Sequence, residues 1–132
     1  HPYNVTPEHT SLARAAVGAD KILAVEQKAV LTTDATAARA AARRTMGIYL
    51  GLPNYANNWR RLGFTDADLA DGGSDRFLDA MVVWGDEAAI RARIDEHFAA
   101  GADHVCVQVL DVDDAFAAPL DAWRRLAPAL TA

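Results

Sequence analysis

The sequence is poor in several features that mark particular classes of protein. It has a single cysteine, Cys106, so an internal disulfide is excluded and a reducing, cytoplasmic location is expected. No apolar run approaches the ~20 residues that a membrane span needs. The sequence has 13 lysines and arginines and 18 aspartates and glutamates. The basic residues form no cluster larger than an adjacent pair. We therefore expect neither a membrane nor a nucleic acid as a partner.

The histidines are few and do not form a metal-binding pattern. An amino-terminal histidine can chelate copper through its α-amino group and its ring, but this requires a second histidine as a ligand. None of the four histidines, at positions 1, 9, 97 and 104, has a partner at the i, i+4 spacing of a helical zinc motif. We expect no metal site.

The clearest helix pattern covers residues 86–100. Asp86 is a suitable N-cap, and Ile90, Ile94 and Phe98 recur at intervals of four, which places them on one helix face. This spacing predicts an amphipathic helix that buries all three side chains.

A nearly continuous apolar run follows at residues 105–110. Such a run is typical of a strand buried on both faces in a parallel sheet. Cys106 lies inside the run, so we expect an inert thiol in the core.

The first part of the chain repeats this order of elements. Thr6 followed by proline predicts a helix over 7–17, and the aliphatic stretch that comes next predicts a strand over about 25–32. Asp34 then caps a long helix that ends near Gly51. Helix and strand therefore alternate here as well.

The segment at about 53–84 interrupts the alternation. It carries helix signals but no convincing strand, so we expect a helical insertion in which Ser74 caps the last of three short helices. Leucine and tryptophan at helical spacing predict a closing amphipathic helix over 119–130.

The element order is that of an α/β protein with parallel strands. Two or three such strands leave open edges, and a closed (β/α)8 barrel, of roughly 250 residues, would cover them. With 132 residues the sequence is expected to be a portion of one such domain, carrying about strands 6 to 8 with their helices and the insertion.

Several stretches resemble a known family. DGGSDRFLDAMVVWGDEAAIRARIDEHFAAGADHVCVQVL, HPYNVTPEHT and LGLPNYANNWRRLGF are similar to the C-terminal portion of luciferase-like monooxygenase family proteins, in the branch of coenzyme F420-dependent oxidoreductases. The resemblance covers essentially residues 1–132. It implies a TIM barrel with an insertion, hydride chemistry on a deazaflavin or flavin, and dimers.

The resemblance also implies where a pocket lies. It places residues 1–4 at the end of strand six, 27–32 in strand seven and 104–110 in strand eight. Because barrel enzymes bind their ligands at the carboxyl ends of the strands, the expected cofactor- or substrate-binding residues are His1, Tyr3 and Asn4, with Gln108 and Asp111 as weaker candidates. The alternative for His1 is a structural role, in which it forms hydrogen bonds with backbone groups of a loop.

Two further groups are weaker candidates still. Gly72, Gly73 and Ser74 lead into a helix and could cradle a phosphate, although a plain turn with a cap has the same pattern. Tyr55 and Asn58 could line a substrate channel, or could simply pack and cap.

By resemblance, the function is that of an oxidoreductase that transfers a hydride to or from a small organic substrate. The expected cofactor is coenzyme F420, with FMN and monooxygenase chemistry as the alternative, and most of its site lies in earlier strands of the family barrel. The catalytic residues stay unassigned, and no independent turnover is expected of this chain. A competing interpretation is a non-enzymatic half-barrel that associates through its sheet edges, with itself or with the missing N-terminal half.

Overall fold

The computed structural model describes residues 1–114 and 117–131. They form an α/β structure, with no helix in this part of the chain long and apolar enough to cross a membrane. The elements are α1 (Pro7–Val17), β1 (Ala24–Leu31), α2 (Ala35–Leu50), α3 (Pro53–Arg61), α4 (Asp66–Leu69), α5 (Asp75–Met81), β2 (Val82–Gly85), α6 (Glu87–Ala99), β3 (His104–Val109) and α7 (Leu120–Thr131).

The three strands form one open parallel sheet in the order β2-β1-β3. Lys28 of β1 is aligned with Val82 on one side and with Gln108 on the other. The central position of β1 explains why six consecutive residues of that strand are buried. The α/β class is confirmed. The order differs from the sequential strand order of a (β/α)8 barrel, and closure into a barrel stays a prediction.

Helices pack against both faces of the sheet. On one face, Val30 packs with the buried alanines of α2 and with Trp59 of α3. On the other face, Ala29 packs with Ile90 of α6 and Leu126 of α7. The alternation of side chains along β1 thus divides the core into two layers.

The helix starts agree with the capping residues in the sequence. The side chains of Thr6, Asp34, Ser74 and Asp86 each accept a backbone hydrogen bond from the first turn of their helices. These bonds satisfy donors that have no partner inside the helix, so each cap fixes where its helix begins.

The expectation of no strand in 53–84 is wrong for its last residues. Val82 and Val83 begin β2, which pairs with the central strand, while three short helices precede it as predicted. Gly85 ends the strand at a φ of 142°, and a Cβ there would lie 2.7 Å from that of Ala89. The turn from β2 into α6 therefore requires glycine.

The predicted burial is wrong at three places. Cys106 is exposed, because none of the helices described above covers that face of β3. In α6, Phe98 was expected on the buried face but is 46% exposed, whereas its neighbour His97 is fully buried. Trp123 of α7 is likewise 46% exposed. Apolar spacing identified the helices but not the width of the face that each one buries.

The first four residues are not a strand, although they run beside one. The carbonyl oxygen of Pro2 accepts a hydrogen bond of 3.1 Å from the backbone N–H of Glu26 in β1. This contact brings Tyr3 and Asn4 against the sheet.

Candidate functional site

A buried ion pair lies at the centre of the candidate site. The Lys28 ammonium is 3.0 Å from a carboxylate oxygen of Glu26, and the two side chains are only 1% and 4% exposed. They share one face of β1 because they are two positions apart in a strand. Lys28 also donates a hydrogen bond of 2.6 Å to Oδ1 of Asn4. Burial lowers the pKa of Lys28, while the charge of Glu26 opposes this shift.

Tyr3 lies directly against this pair. The Lys28 ammonium is 3.8 Å from the centre of the Tyr3 ring, a cation–π contact. The Tyr3 hydroxyl donates to Oε1 of Gln108 at 2.9 Å and lies 3.2 Å from the hydroxyl of Tyr49. Burial, the hydrogen bond with Tyr49 and the charge of Glu26 all raise the pKa of Tyr3. This phenol therefore stays protonated and serves as a hydrogen-bond donor.

Asn4 is held on several sides. It is only 2% exposed and has a left-handed φ of 56°, a conformation that asparagine tolerates better than most residues. Its backbone N–H donates to Glu26 at 3.3 Å, and its carbonyl oxygen accepts from the indole of Trp59 at 3.0 Å. In the part of the chain that the structure describes, the Asn4 side-chain nitrogen has no hydrogen-bond partner.

Aromatic rings extend the site away from the sheet. The rings of Tyr3 and Tyr49 are in contact, with 5.7 Å between their centres. The ring of Tyr49 contacts that of Tyr55 at 5.2 Å, and the ring of Tyr55 contacts that of Trp59 at 5.7 Å. The three tyrosines are half-buried and Trp59 is fully buried. The site therefore has a partly accessible aromatic wall backed by the core.

The structure brings together some of the residues predicted for the pocket. Tyr3, Asn4 and Gln108 meet around Lys28, and Tyr55 joins them through Tyr49. Asn58 is half-buried in α3, next to Trp59.

His1 and Asp111 are not in this cluster of contacts. His1 is exposed. Asp111 accepts hydrogen bonds from the backbone N–H groups of Asp113 and Asp114, which lower its pKa. It lines a cavity of about 290 Å³ beside the start of α7. The carboxylate thus stabilises the turn that follows β3.

The glycine loop has partners within the protein. A Cβ on Gly72 would lie 2.9 Å from the Arg43 side chain, and Arg43 donates a hydrogen bond of 3.1 Å to the carbonyl oxygen of Gly73. Ser74 caps α5 and donates to Asp68 at 2.8 Å. These contacts match the turn-and-cap alternative.

A second cavity lies at the carboxyl ends of β1 and β2. It measures about 270 Å³ and is lined by Leu31, Thr32, Thr33, Gly85, Asp86 and Arg125. Its two charged groups have other roles, because Asp86 caps α6 and Arg125 pairs with Glu87 at 2.7 Å.

The opposite face of β1 carries a neutral polar network. His97 is fully buried between Thr10 and Gln27, with 2.9 Å from its Nδ1 to the Thr10 hydroxyl and 2.9 Å from its Nε2 to Oε1 of Gln27. Gln27 donates through its amide nitrogen to the carbonyl oxygens of Lys28 and Met81, so its oxygen must accept from the ring. His97 is therefore protonated at Nε2, and its lowered pKa keeps the ring neutral. Burial, and then the charge of Arg93, lower its pKa to about 4.

Sequence reasoning missed Glu26, Lys28 and Tyr49. The signal for the first two was available, because two opposite charges at strand spacing, with apolar residues on both sides of them, predict a buried pair on one face. Tyr49 lies near the end of the long helix that Asp34 caps. Its hydroxyl contact with Tyr3 spans 46 positions in the chain and has no local signal.

Among residues 1–114 and 117–131, no group of three or more His, Cys, Asp or Glu side chains could hold a metal ion. A scan against protein-family models, a search of curated proteins and a search of solved structures each returned no match. The geometry around Lys28 is therefore the main structural indication of function.

Proposed function

We propose that this chain is part of a luciferase-like, flavin- or deazaflavin-dependent oxidoreductase and forms one wall of its ligand site. The observation that supports this most is the meeting of Tyr3, Asn4 and Gln108 around Lys28. The family resemblance assigns these three residues to a pocket, and Gln108 lies 105 positions from Tyr3 in the sequence.

The groups at this wall suit a planar, polar ring. The half-buried rings of Tyr3 and Tyr49 offer a stacking surface, and the Asn4 nitrogen is a donor without a partner among the described residues. Coenzyme F420, or FMN as the alternative, would supply hydride transfer when bound. The residues of this chain would bind and orient a ligand, and the Tyr3 hydroxyl, which donates to Gln108, would hold that amide in position.

The resemblance places most of the cofactor site in earlier strands of the family barrel. We therefore expect this chain alone to bind either cofactor weakly, with a dissociation constant of about 0.1–1 mM, and to show no turnover. Cytoplasmic location and a small organic substrate belong to the same proposal.

The test is a spectroscopic titration of the chain with coenzyme F420 in both redox states and with FMN. Weak saturable binding that Gln108→Ala reduces at least threefold would support the proposal. Asn57→Ala, at an exposed position of α3, is the matched control and should leave binding unchanged. Absence of binding at millimolar cofactor, or equal binding by both variants, would overturn it. Micromolar binding would contradict the expectation that most of the site lies elsewhere.

A second candidate function is non-enzymatic association through the sheet edge at β3. His104 and Cys106 on this edge strand are exposed, and the strand contains neither a lysine nor a proline to discourage pairing. We propose that a second copy, or the missing N-terminal half of the barrel, pairs there. Light scattering should detect a dimer that Cys106→Lys dissociates, whereas a monomer at all concentrations would exclude self-pairing.

A further inference from the structure

Two side chains of metal-ligating type lie exposed on one face of the edge strand β3. His104 and Cys106 are two positions apart in this strand, so both point to the same side of the sheet. Both are exposed, and within residues 1–114 and 117–131 neither side chain has a hydrogen-bond or ion-pair partner. Histidine rings and cysteine thiolates are the usual ligands of structural Zn²⁺ sites. Each chain therefore offers half of a Cys2His2 ligand set.

The backbone of β3 is available for pairing on its outer side. His104 and Leu110 donate their backbone N–H groups towards β1. Because the direction of these groups alternates along a strand, the N–H and C=O groups of Val105 point away from the sheet. β3 is last in the strand order β2-β1-β3, so none of the strands described above covers this edge. The edge is therefore open to a further strand.

A second copy of the chain can pair with this edge through a twofold axis at Val105. If the two copies of β3 run antiparallel with their Val105 residues opposite each other, these residues exchange both backbone hydrogen bonds. His104 of each copy then lies opposite Cys106 of the other, in the closely spaced pairs with about 4.5–5.5 Å between Cβ atoms. All four side chains share one face, at a spacing of about 7 Å along each strand.

This arrangement suits a tetrahedral metal ion better than a disulfide. The two Cys106 residues are diagonal neighbours, with roughly 7–8 Å between them, whereas the Cα atoms of disulfides usually lie about 4.4–6.8 Å apart. Zn²⁺ prefers four nitrogen and sulfur ligands in tetrahedral geometry. With two thiolates and two neutral imidazoles, the ion forms a site without net charge, so it adds no repulsion between two acidic chains.

We propose that two copies of this chain pair antiparallel through β3 and share one Zn²⁺ ion, which His104 and Cys106 of each copy bind. The inference rests on the second candidate function, association through the edge at β3, and it identifies the partner and the metal that links the two copies. Within residues 1–114 and 117–131 of one chain, no group of three metal ligands is present. The site is complete only in the dimer.

The test is a titration of the reduced chain with Co²⁺, the spectroscopic substitute for Zn²⁺, followed by absorbance and light scattering. We expect intense visible bands of tetrahedral Co²⁺ and near-ultraviolet bands of thiolate-to-cobalt charge transfer. Both should saturate at one metal ion per two chains, together with dimer formation. Zn²⁺ should displace the cobalt and keep the dimer, and EDTA should return the chain to monomers.

Two variants test the ligands separately. Cys106→Ser and His104→Gln each remove two of the four ligands, because both copies carry the change, and each should abolish the Zn²⁺-dependent dimer. Cys106→Ser should also abolish the charge-transfer bands. His1→Gln is the matched control, because His1 is exposed but lies outside β3, and it should leave the titration unchanged. Since all three positions are exposed, circular dichroism should show wild-type folding in each variant.

Other results would overturn the inference. Binding of one metal ion per chain, cobalt bands without charge transfer, or an unchanged mass on addition of Zn²⁺ would reject the shared site. A dimer that forms equally in EDTA and in Zn²⁺, and that Cys106→Lys dissociates, would keep the association through β3 and reject only the metal. A chain that stays monomeric under all these conditions would reject both the metal site and self-pairing.

Discussion

The two faces of β1 bury polar groups of different kinds. On one face, Glu26 and Lys28 form an ion pair beneath Tyr3, and the Asn4 amide nitrogen beside it has no partner among the described residues. On the other face, Gln27 and His97 form an uncharged network in which both nitrogens of the histidine ring are satisfied. The satisfied network fits a structural role, whereas the incompletely satisfied one has capacity for a ligand.

Breaking the ion pair should have the largest effect on stability. Lys28→Met leaves the Glu26 carboxylate buried without its cation, and we expect the free energy of unfolding to fall by about 3–5 kcal/mol. Urea denaturation monitored by circular dichroism measures this change. Combining it with Glu26→Gln should recover at least half of the loss, because neither charge then remains buried.

Lys21→Met provides a control for the lysine side chain, because Lys21 is 68% exposed and pairs with its sequence neighbour Asp20. We expect it to change stability by less than about 0.5 kcal/mol. If Lys28→Met lowers the free energy of unfolding by less than about 1 kcal/mol, the buried ion pair does not stabilise the fold as proposed.

The stability that the Gln27–His97 network contributes should decrease in acid. The pKa of His97 is about 4 in the folded protein and about 6.5 in an unfolded chain, so the unfolded state binds more protons between these values. The stability from His97 is fully present above about pH 6.5 and declines as the pH falls towards 4, by roughly 3 kcal/mol in total. Urea midpoints measured across this range should show the decline.

His97→Gln should flatten this pH dependence, because glutamine has no ionisable group. Part of the slope should remain, since burial also lowers the pKa of His9. His104→Gln, the same substitution at an exposed position, should keep the wild-type profile. An unchanged profile in His97→Gln would contradict the assignment of a neutral histidine.

Tyr3→Phe should have a moderate effect. It retains the ring that contacts Lys28 but removes the hydroxyl that bonds Gln108 and Tyr49, at an expected cost of about 1 kcal/mol. In an alkaline absorbance titration, the wild type should show a tyrosine that ionises above the usual range because of its raised pKa. This component should be absent from the variant. If all tyrosines titrate together in both proteins, the burial and the hydrogen bonds described for Tyr3 are wrong.

Cys106→Ser should have the smallest effect. The side chain is exposed on the uncovered part of the Lys28 face, so we expect a change in stability within about 0.5 kcal/mol. The native thiol should react with a disulfide reagent as fast as it does in denaturant. A protected thiol would show that this face of β3 is covered in solution, as the association proposal expects.

The elements that the sequence predicted well carry their own local signals. The N-caps Thr6, Asp34 and Asp86 act within one turn of their helices, so the sequence alone places these starts. β2 was missed because its four residues follow α5 without a break, and only pairing with the central strand makes them extended.

The resemblance predicted Tyr3, Asn4 and Gln108 as pocket residues, and the structure brings them into contact. Their partner Lys28 was not predicted, because its role depends on which strand lies beside β1 and on how the first four residues fold back against it. Contacts across 24 to 105 positions leave no periodic pattern in a single sequence.

The sequence by itself determined the alternation of helices and strands and the alternation of side chains along β1, because caps and strand geometry act over a few residues. Only the tertiary structure decided which polar groups on β1 became an ion pair, which became a neutral network, and which face of β3 stayed uncovered. These outcomes depend on desolvation by distant parts of the chain, and that is set by packing rather than by local preference.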